Sequence, residues 1–173
     1  MNVLNDNNRE LPAWMVELLE QVKIMTFVAD DEEAFIDRCL MAPVIGESQL
    51  SYDILEELDE EDDFARELTK LVSTRWTGTK RELCEKALIL ENTFYKIQAG
   101  KRLPGRDTII CLSLALGLNL KEAQRLLGYL GYGLSEHIKR DYLIMCCLDK
   151  GKSPMEVNFL LEECGLRLLG SSD

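Results

Sequence analysis

The stretch LILENTFYKIQAGKRLP, residues 88–104, decides how this chain is read. Phe94 and Ile97 stand three apart, a helical spacing that turns both to one side. Asn92, Thr93, Tyr95 and Lys96 are left for the other side. Gly100 supplies a left-handed helix terminator, and Lys101 and Arg102 follow at once. The helix nevertheless opens with Glu91, in a chain of formal net charge −11. A cationic loop and an acidic tip on one element raise the question of what its outer face meets.

Working outward, helix starts declare themselves three times. Thr79-Lys-Arg-Glu82, Asn119-Leu-Lys-Glu122 and Ser153-Pro-Met-Glu156 each set a capping side chain three residues before a glutamate. That spacing lets the first side chain accept from a free N–H while the glutamate reaches back. Pro154 stands at a first helical position, where its missing N–H costs nothing. Apolar spacings of three and four dominate elsewhere and no alternating strand pattern appears, so the fold class is all-α. LPAWMVELLEQVKIMTFV (11–28) reads as a helix with Trp14, Val16, Leu18, Leu19 and Val22 on its apolar face. DDEEAFIDRCL (30–40) reads as a second, and APVIGESQ (42–49) as a break. YDILEELDEEDDFARELTKLVSTRW (52–76) reads as two helices or one bent one.

The chain also repeats itself. Residues 106–134 overlay 140–169 at an offset of 34, with Arg106/Arg140, Asp107/Asp141, Ile110/Ile144, Leu114/Leu148, Gly117/Gly151, Glu122/Glu156, Leu126/Leu160, Leu127/Leu161 and Gly131/Gly165 in register. Each unit reads as helix, glycine turn, capped helix, glycine end. Two units are too few for a free-standing solenoid, so the second hairpin is expected to extend the first one's core.

Charge is unevenly spread. Residues 1–67 carry 19 acids and 4 bases, whereas 68–173 carry 12 acids and 16 bases. Nine of those bases lie within 70–106, so the whole-chain charge hides a basic segment behind an acidic one.

TKRELCEKALILENTFYKIQAGKRLPGRDTIICLSLALGLNLKEAQRLLGY (79–129) resembles the helix-turn-helix domain of the phage lambda repressor and Cro, the XRE-like family. Leu83 and Cys84 stand where the motif's second helix sets an apolar and a small residue against the third. Ile89 fills the apolar place in the turn, and Phe94 and Ile97 the inner face of helix three. The resemblance implies a five-helix domain over 61–132, with 1–60 an acidic helical N-terminal segment and 133–173 a C-terminal helical hairpin. It implies a sequence-specific DNA-binding transcriptional regulator whose partners are double-stranded DNA and a second copy, because a single helix-turn-helix reads only a half-site. Carried over by position, Glu91, Asn92, Thr93 and Tyr95 would read bases, and Lys80, Lys96, Lys101 and Arg102 would meet phosphate. Three residues depart from the family pattern: Leu88 replaces the turn glycine, Leu90 the serine cap, and Glu91 puts a carboxylate at the first outward position. A protein-interaction module that keeps this fold without binding DNA is the alternative, and the acidic segment is open to a protein partner or to competition with DNA.

Other chemistries find little here. The six cysteines form no C-x-x-C pair and the one histidine is His137, so no metal site or cofactor is expected. GYLGYG (128–133) follows a helix rather than a strand, which makes it a terminator and not a nucleotide loop. No nucleophile–base arrangement is evident, and the chain is not expected to be an enzyme. No apolar run approaches the roughly 18 residues of a membrane span. The polar N-terminus lacks a signal peptide's pattern, and the expected location is the cytoplasm.

Overall fold

Residues 11–27, 29–31 and 60–170 are described by the structure, a computed structural model, with the side chains of 60–63 outside the description. The helix expected over 30–40 and the break at 42–49 therefore lie outside the described residues, apart from Asp30 and Asp31. Among the described residues the fold is all-α: α1 (Ala13–Lys23), α2 (Glu60–Arg75), α3 (Lys80–Lys86), α4 (Glu91–Gln98), α5 (Arg106–Ala115), α6 (Leu120–Gly128), α7 (Lys139–Asp149) and α8 (Pro154–Glu163). These are eight helices, where the expectation counted five for its central unit. None is long and apolar enough to cross a membrane.

Local rules account for the helix starts. All three boxes close in both directions: Thr79, Asn119 and Ser153 each accept from the N–H three residues on, and Glu82, Glu122 and Glu156 each return the bond. The apolar faces then assemble one core. α2 buries Phe64, Leu68 and Val72, and α6 buries Ala123, Leu126 and Leu127. α5 is buried nearly all round from Ile109 to Ala115, as a central helix should be. On α8, Leu160 and Leu161 are fully buried in the same cluster as Leu126 and Leu127.

The two hairpins, α5–α6 and α7–α8, are related by an internal two-fold. α6 packs on α7 and, reciprocally, α8 packs on α5. At the centre, Arg106 donates to Asp141 at 2.6 Å, and Arg140 donates to both oxygens of Asp107 at 3.0 and 2.7 Å. Arg106 also binds the Gly133 carbonyl, and Arg140 the Arg167 carbonyl, 34 residues further on. Gln124 clasps the backbone of Leu134, and Asn158 that of Leu169, each by one donated and one accepted bond. Arg106, Arg140 and Asp141 are all buried. Charges taken out of water need this degree of pairing to be tolerated.

The N-terminal residues join the second hairpin. α1 buries Met15, Leu18 and Val22, while Trp14, Val16 and Leu19 are only partly covered; the apolar face is thus rotated from the one expected. Lys152 Nζ sits 4.3 Å from the Trp14 ring centroid, and the Phe27 and Tyr142 rings lie 5.7 Å apart. The Ala29 and Asp30 carbonyls accept from the first N–H groups of α7, at 3.0 and 2.9 Å, filling valences that a helix start leaves open. Residues 11–27 and 29–31 are therefore attached to the core. Burial pushes the Cys111 and Cys147 thiols up to about 12 and Cys84 up to about 11; as neutral thiols they behave as small apolar groups.

Candidate nucleic-acid interface

α3, α4 and the loop that leaves α4 present the residues singled out by sequence. Their support is rigid. Leu83 and Cys84 of α3 and Phe94 and Ile97 of α4 are buried, and α3 and α4 pack on each other while α2 backs α4. Between the helices the chain turns at Leu88, the one described residue other than glycine with positive φ, at 57°. Glycine would take this left-handed backbone freely, and leucine holds it here. The Ile89 N–H returns to the Cys84 carbonyl at 3.1 Å and closes the turn.

Leu90 caps α4 without a side-chain bond and is 77% exposed. At the far end Gly100 takes φ 66°, and the Lys101 N–H bonds the Lys96 carbonyl at 2.8 Å. Glu91, Asn92, Tyr95, Lys96, Lys101 and Arg102 are all exposed. Thr93 is half-buried. It lines a cleft of about 230 Å³ together with Leu88, Ile89, Leu90, Arg102, Asp107, Thr108 and Gly170, so it turns further inward than its outward assignment expects.

Electrostatics join several of these groups. Lys80 Nζ donates to Gln98 Oε1 at 2.7 Å and lies 5.2 Å from the Tyr95 ring centroid. That is within cation–π range. Lys80 thus bridges the start of α3 to the end of α4, and Tyr95 is held beneath it. Desolvation, then the charge and hydrogen bond of Glu91, push the Tyr95 phenol up. Arg81 bonds Glu85 at 3.0 Å, and Glu85 first, then Glu91, raises its guanidinium's pKa. Arg106, one of the nine bases counted within 70–106, is buried against Asp141 and adds nothing to the outward field.

The buried Arg–Asp cross-brace was not legible as such. The repeat aligned all four residues, and two Arg-Asp dipeptides in register were the available signal. Among the described residues no group of three His, Cys, Asp or Glu side chains could hold a metal ion. No protein-family model, curated protein or solved structure matches the chain.

Proposed function

We propose that the chain binds double-stranded DNA sequence-specifically through α3 and α4, as a transcriptional regulator of the lambda repressor-like helix-turn-helix type spanning about residues 61–132. The observation that carries this reading is the placement of exposed Lys80, Lys96, Lys101 and Arg102 on a helix pair whose other side is locked into the core by Leu83, Phe94 and Ile97. A rigid polar helix flanked by cations suits a groove bordered by phosphates. Glu91 opposes it only weakly. One exposed like charge at about 4 Å costs roughly 1 kcal/mol in water, while every phosphate neutralised releases counterions. Asn92 and Tyr95 are the exposed readers, and Thr93 contributes from the cleft edge. A homodimer presenting two copies of α4 would span two half-sites about one helical turn apart.

The test replaces Lys96, Lys101 and Arg102 with alanine and titrates a random-sequence duplex. Loss of three phosphate contacts should weaken binding to all sequences and flatten the salt dependence by about 2–3 units of slope. Unchanged affinity and slope would remove the reading.

A protein-binding role without DNA has one observation in its favour. Leu90, Tyr95 and Leu103 are exposed by 77, 46 and 49% in this region, and exposed apolar groups among polar ones suit a protein partner. Under that reading the wild type shows no salt-dependent DNA binding at all.

A further inference from the structure

The cleft of about 230 Å³ beside α4 has walls of two kinds. Leu88, Ile89 and Leu90, consecutive in the turn, give it an apolar side. The rest is polar: Thr93 of α4, Arg102 of the following loop, and Asp107 and Thr108 of the first turn of α5. Apolar surface with a few convergent polar groups is the usual make-up of a small-ligand site. The polar groups differ in what they have left to give. Asp107, the one acid among the lining residues, is bound on its two oxygens by Arg140 at 3.0 and 2.7 Å, with Arg167 at 4.0 Å. Arg140 is buried, so this pair belongs to the fold and the carboxylate charge is neutralised in place. Arg102 has no hydrogen-bond or ion-pair partner among the described residues.

Charge and size then narrow the occupant. Arg102, Arg140 and Arg167 stand in or behind the wall against the single carboxylate of Asp107, and Arg102 lines the cleft itself. The Thr93 and Thr108 hydroxyls can add donors. The complement of this polar side is an anion, and the complement of Leu88, Ile89 and Leu90 is hydrocarbon attached to it. At roughly 30 Å³ for each water-sized group, a volume of about 230 Å³ admits about eight non-hydrogen atoms. We propose that the cleft binds a small carboxylic acid with a branched apolar body, and that binding withdraws Arg102 from DNA phosphate. The carboxylate sits on Arg102, whose planar guanidinium can meet it with two parallel bonds, and the hydrocarbon sits on the three turn residues. One guanidinium cannot serve ligand and phosphate together. The site stands on the cleft itself; its effect on DNA rests on the DNA-binding reading above.

The probe is 4-methylpentanoate, titrated into the isotope-labelled full chain and followed by its amide and methyl resonances. Saturable shifts should concentrate at Leu88, Ile89, Leu90, Thr93, Arg102 and Thr108. 4-Methylpentan-1-ol, which lacks the charge, and acetate, which lacks the body, should each bind at least about tenfold more weakly. Arg102→Ala should weaken binding of the acid by a similar factor, with an unchanged circular-dichroism spectrum because the side chain is exposed. Leu90→Asp should abolish it: aspartate is a good N-cap, so α4 keeps its start while a like charge enters the cleft. With a random-sequence duplex, saturating probe should flatten the wild type's salt dependence by about one unit of slope, the worth of one phosphate contact. The same probe should leave the duplex titration of Arg102→Ala as it was. Acetate binding as tightly as 4-methylpentanoate, or no saturable shift at these residues, overturns the site. Binding that emerges only after removal of residues 171–173 assigns the cleft to the chain itself and overturns the site too. A bound probe that leaves the wild type's DNA titration unchanged overturns the withdrawal of Arg102 and leaves the site standing. Failure of the wild type to bind any duplex overturns the DNA reading and the coupling with it, and leaves the site to the resonance titration.

Discussion

Replacing Leu88 by alanine and, separately, by glycine should give an inverted order of stability. At most positions alanine is the more stable of the two by roughly 0.5–1 kcal/mol, because glycine loses more backbone freedom on folding. Leu88 has φ 57°, and a left-handed backbone costs an L-residue roughly 1–2 kcal/mol that glycine does not bear. The difference leaves Leu88→Gly more stable than Leu88→Ala by about 1 kcal/mol. Both variants lose the half-buried leucine side chain, which contributes roughly 1 kcal/mol, so that term cancels between them. Gly170 lies close to this turn: a Cβ built there would stand 3.6 Å from the Leu88 carbonyl oxygen. Urea unfolding followed by the fluorescence of Trp14 and Trp76 measures the order, and thermal midpoints should separate by about 2–4 °C for a chain of this size. If alanine matches or exceeds glycine, the turn is not left-handed and the geometry given for the entry to α4 is wrong.

Leu160→Ala should cost about 2–5 kcal/mol in chemical denaturation, as a fully buried large-to-small change. Arg140→Ala should cost about 3–5 kcal/mol by the same assay because it removes a fully buried partner and leaves Asp107 only the longer contact with Arg167 at 4.0 Å, whereas joint replacement of Arg140 by Met and Asp107 by Leu should cost less. The bonds from Ser153, the backbone bond foremost, hold the Glu156 carboxyl below its ordinary 4.5, so its stabilisation is complete above about pH 4.5 and fades as pH falls through the lowered value. Glu156→Gln should thus be less stable than wild type at neutral pH, with the gap closing in acid; a gap independent of pH would remove the capping role. Exchanging residues 32–59, which carry eight acids and one base, for a glycine-serine linker of equal length should tighten DNA binding most at low salt, and weaker binding would instead mark that segment as an assembly element.

What could be read beforehand follows the range of the interactions. The capping boxes span three residues and depend on side-chain type alone, so sequence placed all three. The repeat was visible because both hairpins bury the same apolar pattern, but its two-fold was not. Arg106 meeting Asp141, and Arg140 meeting Asp107, is a relation between elements that no local spacing encodes. For the same reason Arg106 counts in sequence among the bases of the 70–106 segment and is in fact buried. On α1, Trp14, Val16 and Leu19 of the expected face are only partly covered, whereas Met15 is fully buried; helix periodicity names a face only to within about one residue's rotation, and packing into the common core selects it. Thr93 sits at the border of the α4 faces and lines a cleft with Asp107 and Gly170, which lie distant in sequence. Leu88 was legible as a leucine in a glycine's place, but the sign of φ belongs to the backbone.

The central claim is that α3 and α4 meet DNA, and its most direct measurement is an anisotropy titration of a labelled random-sequence duplex with the full chain between about 50 and 200 mM salt. Contacts from Lys80, Lys96, Lys101 and Arg102 predict a logarithmic slope of about −3 to −4, a loss of roughly a hundredfold in affinity across that range. No binding at the lowest salt, or binding that does not change with salt, would contradict the account.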